Sequence, residues 1–208
     1  MTKLGMVINK SRCTGCRTCV LACKMQNNVP MGINWNRIDN DGARPDGCQG
    51  TYPDVTRNVY PVACQHCESA PCVDNCPTGA SYKDEMGRVL VNYDACIGCE
   101  TCIQSCPYGV RTMNEAEPVR DPDFNYGDWR VPVRPGNVVE KCTLCKERTD
   151  ESEKPMCVVC CPMKARVFGD LDDPESEASK LLEAHGDTVE VLLKEAGTNP
   201  QVFYIRSY

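Results

Sequence analysis

The sequence predicts an α+β fold of short strands, short helices and long loops, arranged as two pseudo-repeated units. Three observations predict it. Cysteine supplies 18 of 208 residues, about 9%, a level at which disulfides or metal ligation take over from apolar burial as the main staple. Sixteen of those cysteines fall into four groups of four with related spacings. Short runs with strand character, Leu4 to Asn9 and Arg88 to Asn92, lead into the first and third groups, so the local architecture repeats with the cysteines.

The groups can be taken in order. Cys13, Cys16, Cys19 and Cys23 form C-x2-C-x2-C-x3-C, and Cys96, Cys99, Cys102 and Cys106 repeat that spacing with Pro107 next. Between them Cys64, Cys67, Cys72 and Cys76 are spaced C-x2-C-x4-C-x3-C, followed by Pro77. Cys142, Cys145, Cys157 and Cys161 have an x11 gap in their middle and end at Pro162. Three cysteines so close together wrap one face of an iron–sulfur cubane and leave its fourth iron to a ligand from elsewhere. In two-cluster bacterial ferredoxins that ligand is the last cysteine of the other motif. The following proline turns the chain and removes a backbone donor. Gly15 and Gly98 stand where the backbone bends closely around sulfur and unusual dihedrals are needed. Short helices are expected after the fourth cysteine of each group, as Val20 to Gln26 suggests, completing small ferredoxin-like β/α units.

Two other readings of the cysteines are weaker. Structural zinc uses separated C-x2-C pairs and closes each site with four ligands, which the C-x2-C-x2-C-x3-C runs match poorly. Disulfides would have to bridge near neighbours repeatedly, and no export signal is expected in Met1 to Arg12, where Lys3, Lys10 and Arg12 interrupt any apolar core. Cys48 and Cys160 are left over and read as non-ligand thiols; making Cys160 a ligand would lose both the x3 spacing and the Cys-Pro step. His66 lies inside a complete quartet and reads as a supporting residue, and His185 as a surface side chain.

A net charge of −6 argues against nucleic-acid binding. Residues 1–30 carry Lys3, Lys10, Arg12, Arg17 and Lys24 with no acid, and basic residues near thiolate-ligated clusters have a compensating role. No apolar run approaches the 18 residues or so of a spanning helix, so no membrane span is expected. Residues 114–137, with four prolines, Tyr126 and Trp129, read as an inserted loop able to contact a partner. A helix is expected from Asp173-Pro174, with Ala178, Leu181, Leu182 and His185 on one face, ending at Gly186 and packing on the cluster core. Gln201 to Ile205 reads as a final strand within a sheet.

Taken together, Cys13-Thr-Gly-Cys16-Arg-Thr-Cys19-Val-Leu-Ala-Cys23, Cys64-Gln-His-Cys67 through Cys76-Pro77-Thr-Gly-Ala80, Cys96-Ile-Gly-Cys99 through Cys106-Pro107-Tyr108-Gly109, and Glu140-Lys-Cys142-Thr-Leu-Cys145 resemble the four-cluster iron–sulfur subunits of the molybdopterin oxidoreductase, or dimethyl sulfoxide reductase, superfamily. Gly169-Asp-Leu-Asp-Asp173 and Val202-Phe-Tyr-Ile-Arg206 are similar to small subunits of respiratory arsenate reductases, transhydroxylases and catechol dehydroxylases.

The resemblance implies four 4Fe–4S clusters with crossed ligands. Cys13, Cys16, Cys19 and Cys161 hold one, and Cys142, Cys145, Cys157 and Cys23 a second. Cys64, Cys67, Cys72 and Cys106 hold a third, and Cys96, Cys99, Cys102 and Cys76 a fourth. It implies an outer unit of residues 1–59 and 138–208 and an inner unit of 60–113, with 114–137 inserted. The role it implies is non-catalytic electron transfer in an anaerobic oxidoreductase complex. The partners would be a large molybdenum or tungsten bis-pterin subunit and, at the other end, a quinone-linked membrane subunit or a soluble carrier. A free-standing polyferredoxin is the alternative. Location on the outer face of the cytoplasmic membrane, by co-export with the large subunit, is expected, with the cytoplasm as the alternative.

Overall fold

A computed structural model describes residues 2–40, 48–119 and 124–206. Met1, residues 46–47 of the loop before Cys48 and residues 120–123 of the expected insert lie outside the described residues. In chain order the elements are β1 (Leu4–Asn9), α1 (Thr18–Gln26), β2 (Asn36–Asn40), β3 (Gln49–Thr51), β4 (Asp54–Thr56), β5 (Val59–Ala63), α2 (Pro71–Asp74), β6 (Ser81–Lys83) and β7 (Val89–Val91). They continue with α3 (Thr101–Gln104), β8 (Thr112–Met113), β9 (Val139–Glu140), α4 (Lys146–Thr149), α5 (Met156–Val159), β10 (Arg166–Asp170), α6 (Glu177–His185), β11 (Val189–Glu190) and β12 (Val202–Ile205).

The expected opening and closing strands meet in one sheet, ordered β10-β1-β12-β11. There β1 runs antiparallel to β10, with Leu4 opposite Asp170, and parallel to β12, with Met6 opposite Val202. Alternation along β1 sorts its side chains, because successive residues of a strand point to opposite faces. Leu4, Met6 and Ile8 join Val202, Tyr204 and Leu144 in a core shared with Cys19 and Cys157. Val7 and Ile205 face the other way, against Ala178, Leu181 and Leu182 of α6.

The C-terminal helix therefore covers the face of the sheet remote from the cysteines, not the cluster core as its amphipathic pattern suggested. It also begins later than expected. Ser176 caps it, its Oγ accepting the Ser179 N–H at 3.1 Å. Asp173 instead closes a preceding turn, its Oδ1 accepting the Glu175 N–H at 2.9 Å; proline suits the second position of such a turn as well as the first of a helix.

The helices around the cysteines also differ from expectation. They carry the third cysteine of each group (Cys19 on α1, Cys72 on α2, Cys102 on α3, Cys157 on α5) and precede or contain the fourth. Proline explains it. The residue before a proline is driven out of the helical region, so Cys76, Cys106 and Cys161 end their four-residue helices, whereas Lys24 follows Cys23 and α1 runs for nine residues.

Two-stranded ribbons join the remaining pieces. β2 pairs with β5, β3 with β4, β6 with β7 and β8 with β9. Residue 59, the expected end of the outer unit, opens β5, which is bound to β2 from Asn36 opposite Ala63 to Asn40 opposite Val59. Thr112 opposite Glu140 and Met113 opposite Val139 close the base of the insert, which has no helix or strand among its described residues. It folds back over the end of α1: the Asp128 N–H donates to the Gln26 carbonyl at 3.1 Å and the Gly127 N–H to Asn28 Oδ1 at 2.8 Å. A buried pair, Arg134 Nη1 to Glu140 Oε1 at 3.0 Å, fixes its return.

Candidate metal centre

Each group begins with a C-x-x-C turn whose third residue is left-handed. The φ values are +68° at Gly15, +46° at His66, +66° at Gly98 and +55° at Leu144. Glycine reaches this conformation freely, whereas a side chain costs roughly 1–2 kcal/mol there. At His66 and Leu144 burial offsets that cost, since both side chains lie in the interior.

The sixteen cysteines surround four largely apolar cavities. Cavity A is lined by Cys13, Cys16, Cys19 and Cys161. Cavity B is lined by Cys23, Cys142, Cys145 and Cys157, with Cys64 also on its wall. Cavity C has Cys64, Cys67, Cys72 and Cys106, and cavity D has Cys76, Cys96, Cys99 and Cys102. In every cavity three cysteines come from one group and the fourth is the last cysteine of another. Cys48 is exposed, and Cys160 is half-buried at the end of α5 and lines none of the four.

The sulfurs ring volumes rather than converge on points. Among the described residues no three His, Cys, Asp or Glu side chains are placed to hold a single metal ion, whereas a zinc site needs four ligands within about 2.0–2.3 Å of one. Burial, reinforced by neighbouring thiolates, pushes the Cys142 thiol up to about 12, Cys67 up to about 11, and Cys145 and Cys23 well up. Thiols must deprotonate to bind metal, so these clusters of sulfur call for a cationic group that all four share. Two exposed cysteines shift the other way: the Thr18 hydroxyl, 3.3 Å from Cys16 Sγ, and the Thr101 hydroxyl lower the Cys16 and Cys99 thiols.

Several buried donors face the sulfurs, and sequence reasoning missed the most important. Arg166 donates to Cys157 Sγ at 3.5 Å and to Cys19 Sγ at 3.6 Å, and Arg111 to Cys72 Sγ at 3.0 Å. The basic residues the sequence singled out, Lys3 to Lys24, are not these. A signal existed: Cys106-Pro-Tyr-Gly-Val-Arg111 and Cys161-Pro-Met-Lys-Ala-Arg166 share a C-P-x3-R spacing. His66 Nδ1 accepts the Val89 N–H at 3.0 Å, and burial keeps the ring neutral, so Nε2 carries the proton; it is buried without an acceptor. Trp35 Nε1, beside cavity B, and Arg111 Nε are likewise buried donors with no acceptor. Thiolates for iron, orphaned N–H groups for sulfide and buried cations for net negative charge fit iron–sulfur clusters.

Known proteins agree with that chemistry. A family model described as a 4Fe-4S dicluster domain matches residues 55–121, and one described as a 4Fe-4S binding domain matches residues 4–25. The chain is 42% identical to the arsenate respiratory reductase iron-sulfur subunit of Shewanella sp. strain ANA-3, over 99% of this chain and 97% of that protein. It is 47% identical to a protein of Halobacterium salinarum assigned as a dimethyl sulfoxide reductase iron-sulfur subunit, over 99% and 79%. With a subunit of the tetrathionate reductase of Salmonella typhimurium it shares 34%, over 98% and 72%.

Proposed function

Because the chain belongs to the iron–sulfur electron-transfer subunits of the dimethyl sulfoxide reductase family of molybdoenzymes, we propose that it holds four 4Fe–4S clusters in a row and relays single electrons to or from a molybdenum or tungsten bis-pterin catalytic subunit. The observation that carries this is the set of four cavities, each walled by three cysteines of one group and the last of another. The ligands would be Cys13, Cys16, Cys19 and Cys161 in cavity A; Cys142, Cys145, Cys157 and Cys23 in B; Cys64, Cys67, Cys72 and Cys106 in C; and Cys96, Cys99, Cys102 and Cys76 in D.

Each cluster, when bound, takes up and gives up one electron. The chain's own part is to hold the sites still and adjacent. Cavities A and B share Arg166, whose guanidinium touches a cysteine of each, and B and C share a wall at Cys64. Crossed ligation ties the groups at the two chain ends together and the two inner groups to each other, which supports an outer unit formed from both ends and an inner unit between them. The substrate of the complex is chosen by its catalytic subunit. Among the described residues no helix is long and apolar enough to cross a membrane. We place the complex on the outer face of the cytoplasmic membrane, by co-export with the large subunit and joined to a quinone-linked membrane subunit or a soluble carrier.

Metal analysis of anaerobically prepared protein tests the core of this. About sixteen iron and sixteen acid-labile sulfide per chain are expected from four cubanes; zinc near four, or iron near eight, would overturn it. Cys161→Ser should perturb the cluster of Cys13, Cys16 and Cys19 and spare that of Cys142, Cys145 and Cys157, while Cys160→Ser leaves all four intact. Isolation from native membranes should bring a large molybdenum- or tungsten-containing chain with it. Recovery of this chain alone would favour a free-standing carrier instead.

A further inference from the structure

Three cations are buried among the cysteines, and among the described residues none has a carboxylate partner. Arg166 and Arg111 are each 4% exposed and Lys141 1%. Arg166 donates to Asn36 Oδ1 at 2.8 Å and to Met6 Sδ at 3.3 Å besides the sulfurs of Cys157 and Cys19. Lys141 Nζ donates to the carbonyls of Val89 and, at 2.9 Å, of Cys142. Arg111 donates to Ser81 Oγ at 2.9 Å and to Cys72 Sγ. Elsewhere the chain does pair its buried cations with acids: Arg134 meets Glu140, and Arg88 meets Asp84 and Asp150 at 2.7 Å. An unpaired buried charge costs several kcal/mol, so the counter-charge of these three must lie in the cavities.

Their positions are regular. Arg166 lines both cavity A and cavity B and donates to a cysteine of each. Lys141 donates to the carbonyl of Cys142 on the wall of B and to that of Val89 on the wall of C. Arg111 lines C, where it donates to Cys72 Sγ, and reaches Ser81 Oγ on the wall of D. One cation thus stands at each of the three junctions of the row A, B, C, D.

We propose that Arg166, Lys141 and Arg111 are the fixed counter-charges of the relay, one at each junction, and that each raises the reduction potential of both clusters flanking it. The proposal rests on the reading that each cavity holds a cluster. The physics is direct: an added electron is stabilised by a positive charge held a few ångströms away in a poorly screening interior, and the effect falls off with distance.

The test is redox titration of the cluster-loaded protein followed by electron paramagnetic resonance, with iron counted in every sample. Arg166→Gln should move two of the four midpoint potentials to more negative values, and Arg111→Gln the other two. Lys141→Met should move one from each pair. Arg166→Lys and Arg111→Lys, which keep the charge and lose the fork, should stay near the unsubstituted potentials; they also decide the matter if a glutamine variant loses iron. Shifts confined to one cluster, no shift at full iron content, or lysine variants that shift or lose iron as much as the glutamine ones would overturn the proposal. Fewer than sixteen iron in the unsubstituted protein would instead overturn the four-cluster reading beneath it.

Discussion

The first and third cysteine loops differ from the second and fourth in a way that repeats. In the former the left-handed position is Gly15 or Gly98 and the second cysteine, Cys16 or Cys99, is exposed; in the latter it is His66 or Leu144, and Cys67 or Cys145 is buried. One backbone turn is thus reached by two routes, conformational freedom at the surface and compensating burial in the interior. The pairing sorts the cavities too: A and D take three cysteines from the glycine loops and lie at the rims, whereas B and C take three from the buried loops and lie between them.

Removing the metal would break this comparison most completely. Cysteines are themselves members of the two largest cores, Cys64, Cys67, Cys72 and Cys102 in one and Cys19 and Cys157 in the other. Structural metal sites in small domains contribute on the order of 10 kcal/mol or more to folding. Iron-free chain is therefore expected to show no sharp thermal transition by circular dichroism, and a cooperative melt would contradict that. Timed exposure to air sharpens the contrast: the clusters behind Cys16 and Cys99 should be lost before the other two, and loss of all four at one rate would erase the distinction.

Smaller effects follow from the turns themselves. Leu144→Ala empties a buried site between the sheet and Cys19 and Cys157, at an expected cost of about 2–5 kcal/mol in denaturant unfolding of the loaded protein. Gly98→Ala and Gly15→Ala each impose roughly 1–2 kcal/mol of left-handed strain. Gly98→Ala should cost more, because its new Cβ would lie 2.7 Å from the Asn137 carbonyl oxygen and from Met113 Cε, whereas at Gly15 the nearest atom is Val59 Cγ2 at 3.2 Å. Equal losses would show that crowding plays no part. Least of all, Thr18→Val and Thr101→Val remove a hydroxyl from an exposed sulfur, a change of about 1 kcal/mol or less. Their signature is a shift in the potentials of the two rim clusters alone, read by the same titration.

Much of this was legible before any fold was known. Leu4–Asn9, the core of the strand before Cys96 and the final strand all appear where the residue pattern places them. The C-terminal helix appears too, but it starts later, because Asp173-Pro174 suits a turn and a helix equally well. The short helices lie at the third cysteines instead of after the fourth, because a proline drives the cysteine before it out of the helical region. Trp35 and His66 are not legible in the sequence, since an indole or imidazole N–H without an acceptor is defined only by the groups packed around it.

What the sequence by itself determined is local: the four cysteine groups, the proline stop after three of them and the glycine turns, all within the reach of a few residues of backbone. Which group shares a cavity with which came from family resemblance, not from spacing, since spacing cannot say what lies across a fold. Only the tertiary structure decided that Arg111, Lys141 and Arg166 are interior cations, while Lys3 pairs with Glu68 at the surface. The same side-chain chemistry is a solvated charge in one place and a counter-charge in another, and long-range packing alone removes the water that separates the two.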